Sequence, residues 1–232
     1  MGMFYYLFDN TYFIYIVPAI IVTLLAQVWV KSAFSKYSQI SNSRRITGAM
    51  AAERVLAYHG VTGVKIVPIE GNLSDNYDPE SNTIRLSSNV YNGISIASVS
   101  IAAHEAGHAV QHAENYAPNR IRTALVPVVN FSSHLSWVFI IVGMFMASFP
   151  VIIDIGIVLY SLAVLFTIVT LPVEFNASAR ALKTIRQTDL LSDQESAGAK
   201  TMLTAAAMTY VAATFAAIMT LLRLLALTNR RN

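Results

Sequence analysis

Long uninterrupted stretches of apolar residues dominate the chain, and one extended polar region separates the first stretch from the others. Each stretch is close to the roughly 20 residues that a helix needs to cross the hydrocarbon core of a bilayer. The four stretches are Tyr12–Val30, Ala124–Phe149, Val151–Val173 and Met202–Leu222. A short turn near Pro150 joins the second and third, which are expected to form a transmembrane hairpin. The pattern predicts a helical protein with several membrane spans, whose first span is retained as an anchor.

The polar region between the first two apolar stretches, Lys31–Arg122, is expected to form a small water-facing segment. Helical spacing of apolar residues, strand-like runs and turn-forming residues follow one another along it. The predicted order is a helix, a strand, a loop, a second strand and the N-cap of a further helix: Thr47–His59, Val64–Ile69, Asn72–Asn82, Thr83–Leu86 and Ser95.

Composition supports the membrane assignment and narrows the chemistry. The chain is 55% hydrophobic and 12% charged, whereas soluble domains carry about 25% charged residues. Cysteine is absent, which excludes a disulfide framework and any zinc site built from thiolates. The net charge of +3 is small and no long basic run is present, so nucleic acid is not an expected partner.

The helix that Ser95 begins carries the sequence His104-Glu105-Ala106-Gly107-His108. Its two imidazoles lie one turn apart on the same helix face, which lets both bind one cation. Zinc suits neutral imidazole and accepts an open coordination position, and a bound water there becomes acidic enough for Glu105 to take its proton. The surrounding residues are small and apolar, so unpartnered polar groups would be costly there. This motif predicts a zinc site for peptide hydrolysis.

Two strands followed by a metal-binding helix resemble the catalytic half of a zincin. In that arrangement an extended substrate can pair with an edge strand through main-chain hydrogen bonds. The candidate edge is the strand that contains Ile84, Arg85 and Leu86, and the alternative is that this strand is purely structural.

Hydrolytic zinc usually takes three protein ligands, and four downstream residues are candidates for the third. His112 is about 12 Å along the helix axis from His104, too far for both to meet one ion. Glu114 lies near the third-ligand position of one protease pattern, but Gln111 replaces the glycine that this pattern needs. Asp154 faintly resembles the ligand of site-2-type intramembrane proteases, although a full second span would place it across the bilayer from His104.

Glu174 is the favoured third ligand, because an even number of crossings returns it to the membrane face of the two histidines. A solvated carboxylate at a helix start is the alternative. Asn176, Ser178 and Arg180 could then hydrogen-bond the ligands and orient them. Arg180 or Tyr210 could stabilise the oxyanion, although an ordinary surface arginine and an interfacial tyrosine are the simpler interpretation.

Charge distribution predicts the orientation in the membrane. Positive residues follow the first span at Lys31, Lys36, Arg44 and Arg45. The positive-inside rule then places the N-terminus outside and the active site on the cytoplasmic side of the cell membrane. Arg230 and Arg231 conflict with the outward C-terminus that four crossings imply.

The predicted fold is mostly α, a multi-spanning helical membrane protein with a small α+β zincin-like catalytic segment. Its expected parts are an anchor, a cytoplasmic-facing zincin-like segment, a transmembrane hairpin, a segment with the third zinc ligand, and a C-terminal span with its tail: 1–30, 31–122, 123–173, 174–200 and 201–232.

Several stretches together resemble the YugP-type membrane zinc metallopeptidases, whose architecture is similar to that of the HtpX-like gluzincins. They are Leu73–Pro79, Ile84–Ser87, Val90–Gly93, Ala102–Ala109 and Leu171–Ser178. The family pattern has His where this chain has Asn76 and Asp where it has Asn176. The resemblance implies a zinc-dependent membrane protease with His104, His108 and Glu174 as ligands and Glu105 as the base.

The leading hypothesis is therefore an integral membrane zinc endopeptidase that acts on peptides or membrane proteins. The alternatives are a site-2-type intramembrane protease with Asp154 as ligand and a zinc-binding membrane scaffold without catalysis. Alanine substitution of the competing ligands separates the two protease hypotheses, and Glu105→Gln separates catalysis from scaffolding.

Overall fold

The fold is known from a computed structural model that describes residues 9–71, 74–145 and 150–229. Within these residues, a π-helical turn at Tyr12–Ile16 precedes seven α-helices and three β-strands. They are α1 Val17–Ser38, α2 Gly48–Tyr58, β1 Lys65–Ile69, β2 Asn76–Asp78, β3 Thr83–Ser87, α3 Ser88–Tyr91, α4 Ile96–Ala113, α5 Ala117–Phe145, α6 Pro150–Gln187 and α7 Asp193–Asn229. The predicted fold class, a mostly helical chain with a small α+β segment, is confirmed.

The helices α1, α5, α6 and α7 are each long and apolar enough to cross a bilayer. They expose large apolar side chains: Leu25 is 64% exposed, Phe131 73% and Val158 66%. Such extensive apolar surface is unfavourable in water and is expected in contact with lipid. The protein is therefore a multi-pass membrane protein, as predicted. The turn is predicted near Pro150, which begins α6. Residues 146–149 before it and the tail arginines at 230 and 231 lie outside the described residues.

The chain divides into two compact units. The span unit comprises residues 1–27, 121–171 and 209–232, and the sheet unit comprises residues 28–120 and 172–208. In the span unit α5 and α6 pack closely, because Gly156 has no side chain to hold them apart. A Cβ there would lie 3.0 Å from the backbone nitrogen of Ile140, and the Ser136 hydroxyl donates a hydrogen bond of 3.0 Å to the Gly156 carbonyl.

The sheet has the strand order β1-β3-β2, so β3 is its central strand. It pairs in parallel with β1, starting at Lys65 opposite Thr83, and antiparallel with β2. The prediction that the Ile84–Leu86 strand forms the sheet edge is therefore wrong. Four of its five residues are buried, as expected for a central strand.

The edge strand β2 lies within the segment predicted to be a loop, Asn72–Asn82, of which residues 72 and 73 lie outside the described residues. Three polar or aromatic residues are too few to show the alternation that reveals a strand. Its partner β3 supplies the pairing instead. The sequence pattern therefore could not predict β2, the strand at this edge of the sheet.

The predicted helix at Thr47–His59 and the predicted N-cap at Ser95 are both confirmed. Thr47 caps α2, and the Ser95 hydroxyl accepts a hydrogen bond of 3.0 Å from the backbone N–H of Ser98, which starts α4. Most of α4 is buried, and its apolar side chains form the core of the sheet unit together with α2, β3 and residues from α6 and α7. The helix that carries the histidines is thus fixed from several sides.

Candidate metal centre

The two histidines of α4 face the same space at one turn of separation. The ring centroids of His104 and His108 are 4.7 Å apart, and the rings are nearly perpendicular. Their side chains are 14% and 11% exposed. The predicted spacing effect is observed: one helix face presents two partly shielded imidazoles to a single point.

The carboxylate of Glu174 completes this cluster from α6. Its Oε2 lies 3.3 Å from Nε2 of His104 and 3.5 Å from Nε2 of His108. The side chain is buried and lies well inside α6, which continues through Pro172, so the alternative of a solvated carboxylate at a helix start is wrong. Among the residues that the structure describes, these three form the one group of potential metal ligands.

Gly107 lets the two helices approach closely enough for Glu174 to reach the histidines. A Cβ at this position would lie 2.8 Å from the carbonyl oxygen of Ala177 and 3.3 Å from its Cα. Those atoms belong to the backbone of α6 and cannot rotate away. The glycine between the two histidines therefore has a structural role of its own.

The cluster fits a zinc ion. Ligands about 2.0–2.1 Å from a tetrahedral zinc lie about 3.3 Å from one another, and the observed separations of 3.3 and 3.5 Å agree. Two imidazoles and one carboxylate are also a donor set of hydrolytic zinc sites, which leave the fourth position open. The residues present are therefore suited in type and in spacing.

Hydrogen bonds engage the other ring nitrogen of each histidine. Nδ1 of His104 lies 3.2 Å from the Ser178 hydroxyl, and Nδ1 of His108 lies 3.0 Å from Oε1 of Gln111. Each Nε2 is thereby directed toward Glu174. Sequence reasoning missed Gln111 as a functional residue, although its position three residues after His108 placed it on the same helix face.

Glu105 lies beside the cluster with an altered acidity. Burial raises its pKa to about 7, and the carboxylates of Glu174 and Asp75 act in the same direction. His104 and a hydrogen bond from the backbone of Tyr77 lower it in part. Because Tyr77 belongs to β2, the edge strand borders the carboxylate. A carboxyl group with a pKa near neutrality can both accept and donate a proton at physiological pH.

Glu114 and Arg180 pair with each other outside the metal group. Nη1 of Arg180 lies 2.6 Å from Oε2 of Glu114, and Nε of Arg180 donates a hydrogen bond of 2.7 Å to Oδ1 of Asn176. His59 lies 3.7 Å from the other oxygen of Glu114. The Arg180 side chain is thus held by two partners of its own, which does not favour a role in oxyanion stabilisation.

The remaining sequence candidates also lie outside the three-residue group. His112 is exposed, and its ring lies 5.9 Å from that of Tyr77. Asp154 and Tyr210 belong to the span unit, where Asp154 lines an open groove with Tyr15 and Leu222. The cluster contains Glu174 rather than any of these residues.

Comparison with known proteins gives a consistent assignment. Residues 12–229 match the family described as "Putative neutral zinc metallopeptidase". The chain is also 43% identical over 207 residues to the "Putative membrane protease YugP" of Bacillus subtilis (strain 168), which covers 89% of this chain and 92% of that protein. No solved structure matches. The family resemblance seen in the motifs is confirmed: the chain belongs to the neutral zinc metallopeptidases, a family of hydrolases whose cofactor is zinc.

Proposed function

We propose that the protein is a membrane endopeptidase in which His104, His108 and Glu174 hold zinc and Glu105 is the general base. The observation that carries this proposal is the position of the Glu174 carboxylate, 3.3 and 3.5 Å from the two imidazole nitrogens. Bound zinc supplies Lewis-acid chemistry, which makes a water molecule more acidic and polarises a carbonyl group.

Glu105 moves the proton in this mechanism. Its ionised carboxylate takes a proton from the attacking water, and the resulting carboxylic acid gives that proton to the departing amine. Burial raises the pKa of Glu105 to about 7 in the metal-free chain, so this carboxyl group can hold a proton as well as release one. With a cation held by the three ligands, Glu105 would be ionised and ready to act as the base, because a nearby positive charge favours the ionised carboxylate.

The substrate is proposed to bind as an extended peptide along the edge of β2 that no other strand of the described residues pairs with. This strand replaces the Ile84–Leu86 strand as the candidate, because β3 is paired on both sides. The backbone of Tyr77 reaches Glu105, so a peptide paired with β2 would pass close to the proposed base. Main-chain pairing fixes the position of a peptide bond with little dependence on its side chains.

The proposed site faces the cytoplasm from the inner side of the cell membrane. Arg44 and Arg45 follow the first candidate span, and Lys183 and Arg186 precede the connection between α6 and α7. Both segments have the positive charge that is retained on the cytoplasmic side. Peptides or membrane proteins reaching that side are the proposed substrates.

Zinc content and cleavage of casein or a membrane peptide, measured on the full chain in detergent, test the proposal. Glu105→Gln is expected to keep zinc and to lose cleavage by about 10²–10⁴-fold, because a general base is removed. Glu174→Ala is expected to lose zinc, whereas Asp154→Asn is the matched control and keeps both properties. Full cleavage by Glu105→Gln would exclude Glu105 as the base. Zinc bound by the parent chain without cleavage of any substrate would favour the scaffold hypothesis.

A further inference from the structure

We propose that Gln111 is a positioning residue that holds Nδ1 of His108 as the hydrogen-bond donor, so that Nε2, rather than Nδ1, is the nitrogen that this histidine presents to the metal. The inference rests on the ligand set of the proposed function. The Gln111 side chain is completely buried on α4, where a polar group is retained only if its hydrogen bonds are satisfied.

Two oxygen atoms that can only accept determine the orientation of the Gln111 amide. Its Nε2 donates a hydrogen bond of 2.8 Å to the backbone carbonyl of Val173 and one of 3.0 Å to Oδ1 of Asn176. Rotating the amide by 180° would place oxygen against oxygen at both contacts. The amide nitrogen must therefore face α6, and Oε1 must face His108.

Arg180 fixes the oxygen of Asn176 in turn. Nε of Arg180 lies 2.7 Å from Asn176 Oδ1, and a guanidinium group carries donors but no acceptor. Arg180 is itself held by Glu114 at 2.6 Å. The Arg180–Glu114 ion pair therefore determines the direction of the hydrogen bonds that follow it, from Asn176 to Gln111. The arginine is permanently charged and can only donate, so this direction does not change.

The chain of hydrogen bonds ends on the imidazole. Gln111 Oε1 lies 3.0 Å from Nδ1 of His108 and can only accept, so Nδ1 carries the hydrogen. A neutral imidazole has one N–H, and Nε2 therefore keeps its lone pair. That nitrogen is the one that lies 3.5 Å from Glu174. Gln111 thus keeps Nδ1 as the donor, which leaves Nε2 as the nitrogen available to the metal.

His104 lacks this constraint. Its Nδ1 lies 3.2 Å from the hydroxyl of Ser178, and a hydroxyl group can either donate or accept. Ser178 therefore tolerates both tautomers. The two histidines thus differ in whether a neighbouring side chain fixes the tautomer. Ser100→Ala, which removes a buried hydrogen bond to the Ile96 carbonyl on the same helix, is the control for substitutions at Gln111.

Zinc affinity of the full chain in detergent, measured by competition with a chromophoric chelator, tests the inference. Gln111→Met preserves the size of the side chain but removes the acceptor, and is expected to weaken zinc binding by about 10–100-fold. Gln111→Glu is expected to restore most of the affinity. The reason is that a protonated glutamic acid side chain at position 111 keeps both hydrogen bonds. Its carbonyl oxygen accepts from His108, and its hydroxyl donates to Val173 or Asn176. Ser100→Ala is expected to keep the parent affinity, because its hydrogen bond lies outside the ligand cluster.

A spectroscopic measurement separates this role from general packing. The chain has five histidines, so ¹⁵N spectra of histidine-labelled, zinc-loaded protein can resolve the Nδ1–H of His108. Its proton is expected to exchange slowly in the parent and in Gln111→Glu, and rapidly in Gln111→Met. If Gln111→Met does not fold, Asn176→Leu and Asn176→Asp form a second pair, in which only the aspartate keeps the acceptor for Gln111 and Arg180.

The outcomes distinguish this inference from the proposed function. Parent-like zinc affinity in Gln111→Met, or equal losses in Gln111→Met and Gln111→Glu, would overturn the positioning role while leaving the zinc ligands in place. Parent-like affinity in Glu174→Ala would instead overturn the ligand set. Loss in both Glu174→Ala and Gln111→Met, with recovery in Gln111→Glu, supports both.

Discussion

At the scale of single residues, two neighbouring carboxylates are given different surroundings. Glu174 faces two imidazole nitrogens at 3.3 and 3.5 Å, which suits a permanently ionised ligand. Burial and the nearby carboxylates of Glu174 and Asp75 raise the pKa of Glu105 to about 7. Environments that differ in this way divide acid–base work from metal binding between chemically identical groups.

The raised pKa of Glu105 predicts a pH-dependent stability of the metal-free protein. The folded state binds this proton more tightly than the unfolded state, whose pKa is 4.5, so stability is lost as the pH rises from about 4.5 to 7. Glu105→Gln removes that loss. Without metal, the difference in Tm between Glu105→Gln and the parent is expected to shift in favour of the variant by several degrees from pH 4.5 to pH 8. This shift is equivalent to roughly 2–3 kcal/mol of unfolding free energy. A difference that is constant with pH would contradict the assignment.

Local spacing is what made some of these residues predictable. His104, Glu105 and His108 lie within two turns of one helix, so a helical period places them without any knowledge of the fold. The approach of Glu174 depends on how α4 and α6 pack, which the sequence indicated only through membrane crossings and family resemblance. Gln111 could be assigned a role only after its partners on α6, Val173 and Asn176, were known.

At the scale of secondary structure, the contact between α4 and α6 positions the cluster. The contact is made backbone to backbone at Gly107, where any side chain would meet the carbonyl of Ala177. A shift of either helix by less than the size of a methyl group would alter the 3.3 and 3.5 Å separations of the three proposed ligands. The geometry of the site is therefore sensitive to the size of one residue.

Gly107→Ala is expected to weaken zinc binding by at least tenfold and to destabilise the fold by about 1–3 kcal/mol, because overpacking forces the helices apart. Zinc affinity and Tm measure the two effects. Gly198→Ala is the control, since its Cβ would meet the side chain of Tyr37 at 2.7 Å rather than a backbone atom. That ring can rotate, and zinc binding should be preserved. Equal zinc affinity in the two variants would contradict a specific role for Gly107.

Element prediction succeeded where the pattern was long and failed where it was short. The apolar stretches each span several turns, and the predicted helices are present. The three residues of β2 are too few for a period, and the burial of β3 on both sides identifies it as central only once its partners are known. The helix α6 continues through Pro172. A proline is tolerated inside such a helix because neighbouring groups can satisfy the backbone carbonyl that loses its hydrogen bond.

At the scale of the whole molecule, the arrangement of charge decides which side of the membrane the protease serves. Four candidate spans leave two connections on one side, the segment between α1 and α5 and the turn between α6 and α7. Both are flanked by lysine and arginine. An odd number of true crossings between them would place Glu174 and the histidines on opposite sides, which their separations of 3.3 and 3.5 Å do not allow.

Because the chain has no cysteine, single cysteine substitutions can report this topology without background. Thr62, Gln194 and Asn10 are exposed and uncharged, so replacing them leaves the charge pattern intact. Cysteines at 62 and 194 are expected to react with a membrane-impermeant maleimide only in inside-out vesicles, because the positive-inside rule retains their segments in the cytoplasm. Cysteine at position 10 should react only in intact cells. Labelling of 62 and 194 from outside would reverse the orientation. Labelling of the two from different sides would contradict the paired crossings of α5 and α6, on which the proposed zinc site depends.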